Sequence, residues 1–291
     1  MMIKKNCCSI ITVNYNAFSF TKNLLDNLSC LDKKNFNLFI VDNFSNDNSF
    51  KKILEYLDIN LNKKLDLKDP RIISSYKKNH IYLLKLDSNY GYATAINIPL
   101  KYIKNNFVES LYWVINNDIK IEKNTLNILI KEYEENTIVT PMVYNLNNKD
   151  EIQSLGCTIN PYFLTTKNIT SVSNLNNTEI DYLSGVSLFF DHNVLNDVGY
   201  LSESYFMYYE DVDWSKRARS KKVKLVVNLN TKIFHNDKKL ILFKLKFLSI
   251  YNRLKFSIKF YKSRVLLVFV YTLLSSLYNL FKYLFILKSG K

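Results

Sequence analysis

Three acidic runs in this 291-residue chain have the residue types that bind cations, accept protons or hold polar ligands. Asp42 closes Phe39-Ile40-Val41, Asp118 closes Trp113-Val114-Ile115-Asn116-Asn117, and Glu210, Asp211 and Asp213 crowd into Tyr208-Tyr209-Glu210-Asp211-Val212-Asp213-Trp214-Ser215-Lys216-Arg217. At the end of an apolar run, Asp42 can accept hydrogen bonds from a base or ribose held against a sheet edge, or it can cap a turn. Asp118 can share a divalent cation with phosphate oxygens, because magnesium and manganese take oxygen ligands, commonly one or two carboxylates with phosphate and water. His235 follows the strand-like Thr231-Lys232-Ile233-Phe234 and is a possible further ligand, whereas His80 and His192 read as hydrogen-bonded structure. In the third run Asp213 and Arg217 stand at i,i+4 and pair. Glu210 and Asp211 are about 100° apart on a helix, so one of them points at a substrate hydroxyl. Either can act as general base, subject to reach and a suitable pKa.

The elements that must position these residues alternate. Cys8 to Val13 is a β-branched run that predicts a strand, and Phe18 to Leu31 carries Phe20, Leu24, Leu25 and Leu28 at helical spacing. Phe36 to Val41, Ile81 to Leu86 and Leu111 to Ile115 predict further strands, with helices over Ser49 to Leu57, Tyr92 to Lys104 and Lys123 to Glu135. Asp47 and Ser49 read as helix caps. This alternation implies an α/β fold whose mostly parallel sheet is flanked by helices, with the ligand crevice beyond the carboxyl ends of the strands. Asn14-Tyr15-Asn16, Asp42-Asn43 and Asn116-Asn117-Asp118 all fall there. Asn89-Tyr90-Gly91-Tyr92-Ala93-Thr94-Ala95-Ile96-Asn97 places a glycine where strand gives way to helix, but it lacks the G-x-G-x-x-G spacing of a dinucleotide site. Residues 58–79, with Lys63, Lys64, Lys68, Lys77 and Lys78, read as a solvated insertion, and 145–180 as an irregular stretch able to cover a substrate.

Charge divides the chain. The formal net charge is +14, yet residues 237–291 hold twelve Lys and Arg against one acidic residue, leaving only +3 for residues 1–236. A basic segment laced with Phe, Tyr, Leu and Ile favours an anionic membrane surface over nucleic acid. Residues 1–236 are therefore expected as the catalytic domain and 237–291 as a basic, apolar helical tail. Val265 to Phe281 has 17 residues without a charge, short of the ~20 that a spanning helix needs. An amphipathic or shallowly embedded helical pair on anionic lipid is preferred, with a soluble helical hairpin that caps the catalytic core or forms a dimer as the competing reading. Cys7, Cys8, Cys30 and Cys157 show no CxxC spacing and suit a reducing compartment. The apolar run after Asn6 is too short for an export signal.

Taken in order, Ile11-Thr12-Val13-Asn14-Tyr15-Asn16, Val41-Asp42-Asn43, Asn89-Tyr90-Gly91-Tyr92-Ala93, Asn116-Asn117-Asp118, Ser184-Gly185-Val186-Ser187, Glu210-Asp211-Val212-Asp213 and His235 resemble glycosyltransferase family 2 over residues 8–236. The likeness is to its rhamnosyltransferase-like branch, which builds bacterial surface polysaccharides. The resemblance implies a GT-A fold and inverting transfer of a hexosyl or deoxyhexosyl group from a nucleotide-sugar to a saccharide acceptor, such as one linked to polyprenyl diphosphate. It implies that Thr12, Tyr15, Asp42, Asn89, Gly91, Asn117 and Asp118 bind the donor, and that Asp118 and His235 hold Mn²⁺ or Mg²⁺. Asp211 is implied as base beside Glu210, with Gly185 and Trp214 on the acceptor side. Asn116 departs from the family, where many relatives carry Asp, which leaves an inactive membrane-bound scaffold as the alternative. Tyr251-Asn252-Arg253 also resembles a segment that follows the family's catalytic domain. A lipid-linked acceptor and a basic tail together imply a cytoplasmic protein, peripheral on the inner face of the membrane.

Overall fold

A computed structural model describes residues 8–32, 35–59, 68–107, 111–236 and 243–288. In the first half the apolar runs become strands and the amphipathic stretches become their covering helices. β1 (Cys8–Asn14) is followed by α1 (Phe18–Ser29), which buries Thr21, Leu24, Leu25 and Leu28 along one stripe. β2 (Phe36–Asp42) leads to α2 (Ser49–Tyr56). Asp47 caps α2 by accepting the Ser49 N–H at 2.9 Å, but the Ser49 hydroxyl is used elsewhere, accepting from the Phe18 N–H at 3.2 Å.

Residues 58–79, expected as a solvated insertion, instead contain a strand. β3 (Ile72–Lys78) pairs antiparallel with β4 (Ile81–Leu86) and buries Ser75 and Tyr76. Interspersed lysines hide this edge strand, since charge on an edge is tolerated where one face still packs. Lys63 and Lys64 lie outside the described residues, as does Cys7. α3 (Tyr92–Asn106) and the wholly buried β5 (Leu111–Ile115) complete this half.

The second half holds β6 (Ile119–Ile121), α4 (Thr125–Glu132), β7 (Thr137–Asn145), β8 (Ile152–Ser154), β9 (Cys157–Ile159) and β10 (Thr166–Asn168). There follow α5 (Val172–Asn176), β11 (Ser187–Asp191), α6 (His192–Val198), α7 (Glu210–Ser220) and β12 (Lys224–His235). The stretch 145–180 is thus less irregular than expected, with β8 on β7 and a β9–β10 ribbon. The main sheet runs β3-β4-β2-β1-β5-β11-β7-β12-β6; β4, β2, β1 and β5 are parallel neighbours, and β11 lies antiparallel between β5 and β7.

β1 shows how the sheet is buried on both faces, with Ile10 packed among Leu24, Leu28 and Trp113, and Ile11 among Val41, Ile96 and Val114. A third cluster joins Cys157, Leu164, Tyr182, Tyr205, Tyr209 and Val212 to Phe256 and Val268. The last two belong to α8 (Phe243–Phe260) and α9 (Val265–Lys288), so the basic segment packs on the α/β body. No described helix is long and apolar enough to cross a membrane.

Candidate active site

The carboxyl ends of β1, β2 and β5 are tied by a chain of buried side-chain hydrogen bonds. Asn117 donates from Nδ2 to Thr21 Oγ1 at 2.9 Å, Thr21 donates to Asn14 Oδ1 at 2.8 Å, and Asn14 Nδ2 donates to Asp42 Oδ2 at 2.8 Å. The other Asp42 oxygen accepts the Ser45 N–H at 3.0 Å. Asp42 is fully buried, so the geometry gives it the turn-capping role and not direct contact with a nucleoside. Thr12 is likewise fully buried, its hydroxyl without a hydrogen-bond partner among the described residues, and cannot touch a donor as it stands. Tyr15, 46% exposed, is free to do so.

Across β2, Asn43 latches the turn into α3. Its Nδ2 donates to Asn89 Oδ1 at 2.9 Å, while its Oδ1 accepts the Tyr90 N–H at 3.1 Å. Asn89 Oδ1 also accepts the Gly91 N–H at 3.0 Å. Gly91 has φ +81°, and a Cβ there would lie 2.2 Å from the Phe206 carbonyl oxygen. The expected opening for a ligand at Gly91 is therefore filled by the chain itself, because residue 206 belongs to the turn that leads into α7.

That turn aims the acidic pair. Asp211 Oδ2 accepts the Gly185 N–H at 2.9 Å and Oδ1 accepts the Val212 N–H at 2.8 Å. The Gly185 carbonyl in turn accepts the Tyr92 hydroxyl at 3.0 Å. Gly185 thus orients Asp211 through its backbone, which is a different use from the acceptor contact implied by resemblance. Burial raises the Asp211 pKa, and the backbone N–H groups of Gly185 and Val212 pull it back. Glu210 has less of this help, with only its own backbone N–H pulling its pKa down. Burial, then the Asp211 charge, push it up to about 8, and its Oε2 has no hydrogen-bond partner among the described residues. At neutral pH Glu210 therefore keeps a proton and Asp211 ionises first. Asp213 is drawn away, pairing with Arg217 Nε at 2.7 Å as its spacing predicts.

The backbone brings the end of β5 up to the acidic pair: the Asn116 N–H donates to the Val186 carbonyl at 3.0 Å, beside the glycine that holds Asp211. Burial raises the Tyr92 pKa, and the charges of Glu210, Asp211 and Asp118 add to that rise. On the other side, His235 Nε2 faces Asp118 Oδ1 at 3.4 Å, and His235 Nδ1 lies 3.0 Å from Gln153 Oε1. In the tautomer that donates Nδ1–H to the Gln153 oxygen, Nε2 turns a lone pair toward the carboxylate. Two facing acceptors with a fixed imidazole suit a divalent cation whose remaining ligands are phosphate and water. Among the described residues no group of three or more His, Cys, Asp or Glu side chains forms a metal cage.

Trp214 corrects another expectation. It is fully buried, donates Nε1–H to the Gly199 carbonyl at 2.8 Å, and stacks edgewise on Phe190, so it is core and not acceptor platform. Conversely the sequence assigns no role to Thr21, Tyr92 or Gln153. Tyr92 had a signal, the small-residue helix start it opens; Thr21 and Gln153 are revealed only by long-range pairing.

A family model described as glycosyl transferase family 2 matches residues 9–193. The chain is 23% identical over 224 residues to the low-salt glycan biosynthesis hexosyltransferase Agl10 of Haloferax volcanii, covering 75% of this chain and 63% of that one. Among solved structures it is similar to the mannosyltransferase PcManGT from Pyrobaculum calidifontis in complex with GDP-Man and Mn²⁺, with a TM-score of 0.59 and 12% identity, covering 87% of this chain and 64% of that one. It is also similar to S. aureus TarS 1–349 in complex with UDP-GlcNAc, at a TM-score of 0.54 and 17% identity over 84% of this chain and 65% of that one. At these identities the structural likeness speaks to the fold alone, which is the mostly parallel α/β architecture expected from the strand order. The family match covers Asp42, Asp118 and Gly185, and over more than half its length the chain belongs to glycosyl transferase family 2.

Proposed function

We propose that this chain transfers a hexosyl or deoxyhexosyl group, with inversion, from a nucleoside-diphosphate donor to a saccharide acceptor in glycan biosynthesis. The observation that carries this reading is the hydrogen-bonded frame at Gly185, whose N–H holds Asp211 and whose carbonyl accepts from Tyr92, while its neighbour Val186 accepts from Asn116 at the end of β5, two residues before Asp118 and its partner His235. Inversion needs a proton acceptor on one face of the sugar and stabilisation of the leaving diphosphate on the other. Asp211, held by two backbone N–H groups and ionised before Glu210, accepts the proton of the acceptor hydroxyl as it attacks. Asp118 and His235 would hold Mn²⁺ or Mg²⁺, which when bound offsets the charge growing on the diphosphate. Tyr15, Asn89 and Asn117 are the donor-side candidates that burial leaves available.

The rhamnosyltransferase-like branch, a lipid-linked acceptor and a place on the inner face of the cell membrane belong to the same proposal. α8 and α9 contain no acidic residue. Leu266 (74%), Leu274 (60%) and Phe269 (48%) are exposed beside this basic segment, as a helix lying on anionic lipid requires. The complexes of similar proteins, GDP-Man with PcManGT and UDP-GlcNAc with TarS, give the donors to try first.

The test is release of nucleoside diphosphate and transfer of labelled sugar from a panel of nucleotide-sugars with Mn²⁺. Transfer is expected from at least one donor, is lost with chelator, and falls by about a thousandfold or more in Asp211→Asn of unchanged fold. Full activity in Asp211→Asn rejects the assignment of the base. Donor binding without turnover in the unaltered chain would favour the scaffold that Asn116 allows.

A further inference from the structure

α8 is fastened to the turn that delivers Glu210 and Asp211. Asn252, 1% exposed, gives its Nδ2 hydrogens to the Met207 and Tyr208 carbonyl oxygens at 2.8 and 3.0 Å. Three residues on, Lys255 donates to the Ser204 carbonyl at 2.6 Å, and Lys259 reaches Asp213 Oδ2 at 2.5 Å. Between them the Phe256 ring lies 5.6 Å from that of Tyr209. Positions 252, 255, 256 and 259 fall on one face of a helix, and all four address residues 204–213.

The turn needs holding. Tyr208 and Tyr209 are consecutive left-handed residues, at φ 69° and 72°, a conformation that side chains with a Cβ resist. Tyr209 is the residue just before α7 and offers no side-chain cap to its first N–H groups. On the opposite side the Phe206 carbonyl is held by the Tyr92 N–H at 2.9 Å. The turn is therefore gripped between the start of α3 and one face of α8, and released from either grip it has a less strained backbone to relax into.

We propose that Asn252 is a positioning residue for the acidic pair, so that α8 completes the active site instead of merely following it. The geometric part stands on the hydrogen bonds alone; the catalytic part rests on the function proposed above. Asn252 touches no reacting atom. It fixes two carbonyl oxygens, which sets the left-handed pair, which sets where Asp211 meets Gly185.

The experiment compares full-length Asn252→Ala and Asn252→Gln with the unaltered chain by amide hydrogen exchange and by transfer kinetics. In Asn252→Ala, amides of residues 204–213 are expected to exchange about tenfold faster or more while β1, β2 and β5 keep their protection. The kcat falls about tenfold or more, with the donor KM within about twofold, and Asn252→Gln, which keeps the amide donors, recovers part of both changes. Unchanged exchange at 204–213, or a rise spread evenly over the protein, overturns the proposal. So does an equal loss of kcat in the alanine and glutamine variants. Should Asn252→Ala fail to fold, Asn252→Gln against Lys255→Met decides: exchange confined to 204–213 in Lys255→Met with less in Asn252→Gln supports the clamp, and protection in both rejects it. A chain that transfers no sugar from any donor sinks the proposed function, while the exchange data still judge the clamp.

Discussion

At the scale of single residues, the Glu210–Asp211 pair is where burial and charge meet. Glu210 has its folded pKa raised from 4.5 to about 8. Below pH 4.5 it is protonated in both the folded and unfolded chain and contributes no pH dependence. Between pH 4.5 and 8 the unfolded chain gives up the proton and the folded one keeps it, so stability falls as pH rises, by up to about 1.4 kcal/mol per pH unit. Glu210→Gln is expected to match the unaltered protein near pH 4 and exceed it near pH 8 in urea titrations. Parallel stability curves over that range would show that Glu210 is not buried as described. Trp214 marks the limit of reading such sites from sequence. An aromatic beside two acids looks like a sugar platform, and only its burial against Phe190 shows that it is core. Asp42 was legible as a residue of the site, but which of its two uses applied was settled by Asn14 and Ser45, partners 28 and 3 positions away.

At the scale of elements, the parallel strands and their helices could be read directly, because each is an apolar run with a stripe-bearing helix after it. β3 could not, since Lys77 and Lys78 make it resemble a solvated loop, and β11 was masked by its short length and antiparallel setting. Gly91 shows how elements share one point. Gly91→Ala combines a positive φ with a Cβ 2.2 Å from a backbone oxygen, and the Phe206 carbonyl cannot yield without shifting the turn into α7. A loss of at least about 2 kcal/mol is expected by chemical denaturation, from left-handed strain plus the displaced turn. A change below about 0.5 kcal/mol would mean that α3 and the turn are not in contact.

At the scale of the whole molecule, the basic segment has two sides. Arg253, 7% exposed, donates to Thr272 at 2.9 Å and lies 5.1 Å from the Tyr271 ring, tying α8 to α9, while the outer leucines of α9 face outward. Full-length protein is expected to float with vesicles containing anionic lipid, less at high salt, and Leu266→Gln with Leu274→Gln is expected to reduce flotation several-fold. Equal flotation of both, or none with anionic vesicles, removes the membrane from the proposal. Charge composition marks out this segment, and a hairpin capping the core is one reading of it; that Asn252 seats it on the turn before α7 is not legible, because its contacts span 44 and 45 positions.

One polarity runs through the whole sheet edge. A carboxylate at position 42 can only accept, so Asn14 must turn its NH₂ toward it and its oxygen toward Thr21. Thr21 then spends its proton on Asn14 and receives one from Asn117, whose own oxygen is left facing the other way. The sign of the dipole that Asn117 offers at the end of β5 is thereby written two strands away, by an acid that no ligand need ever touch.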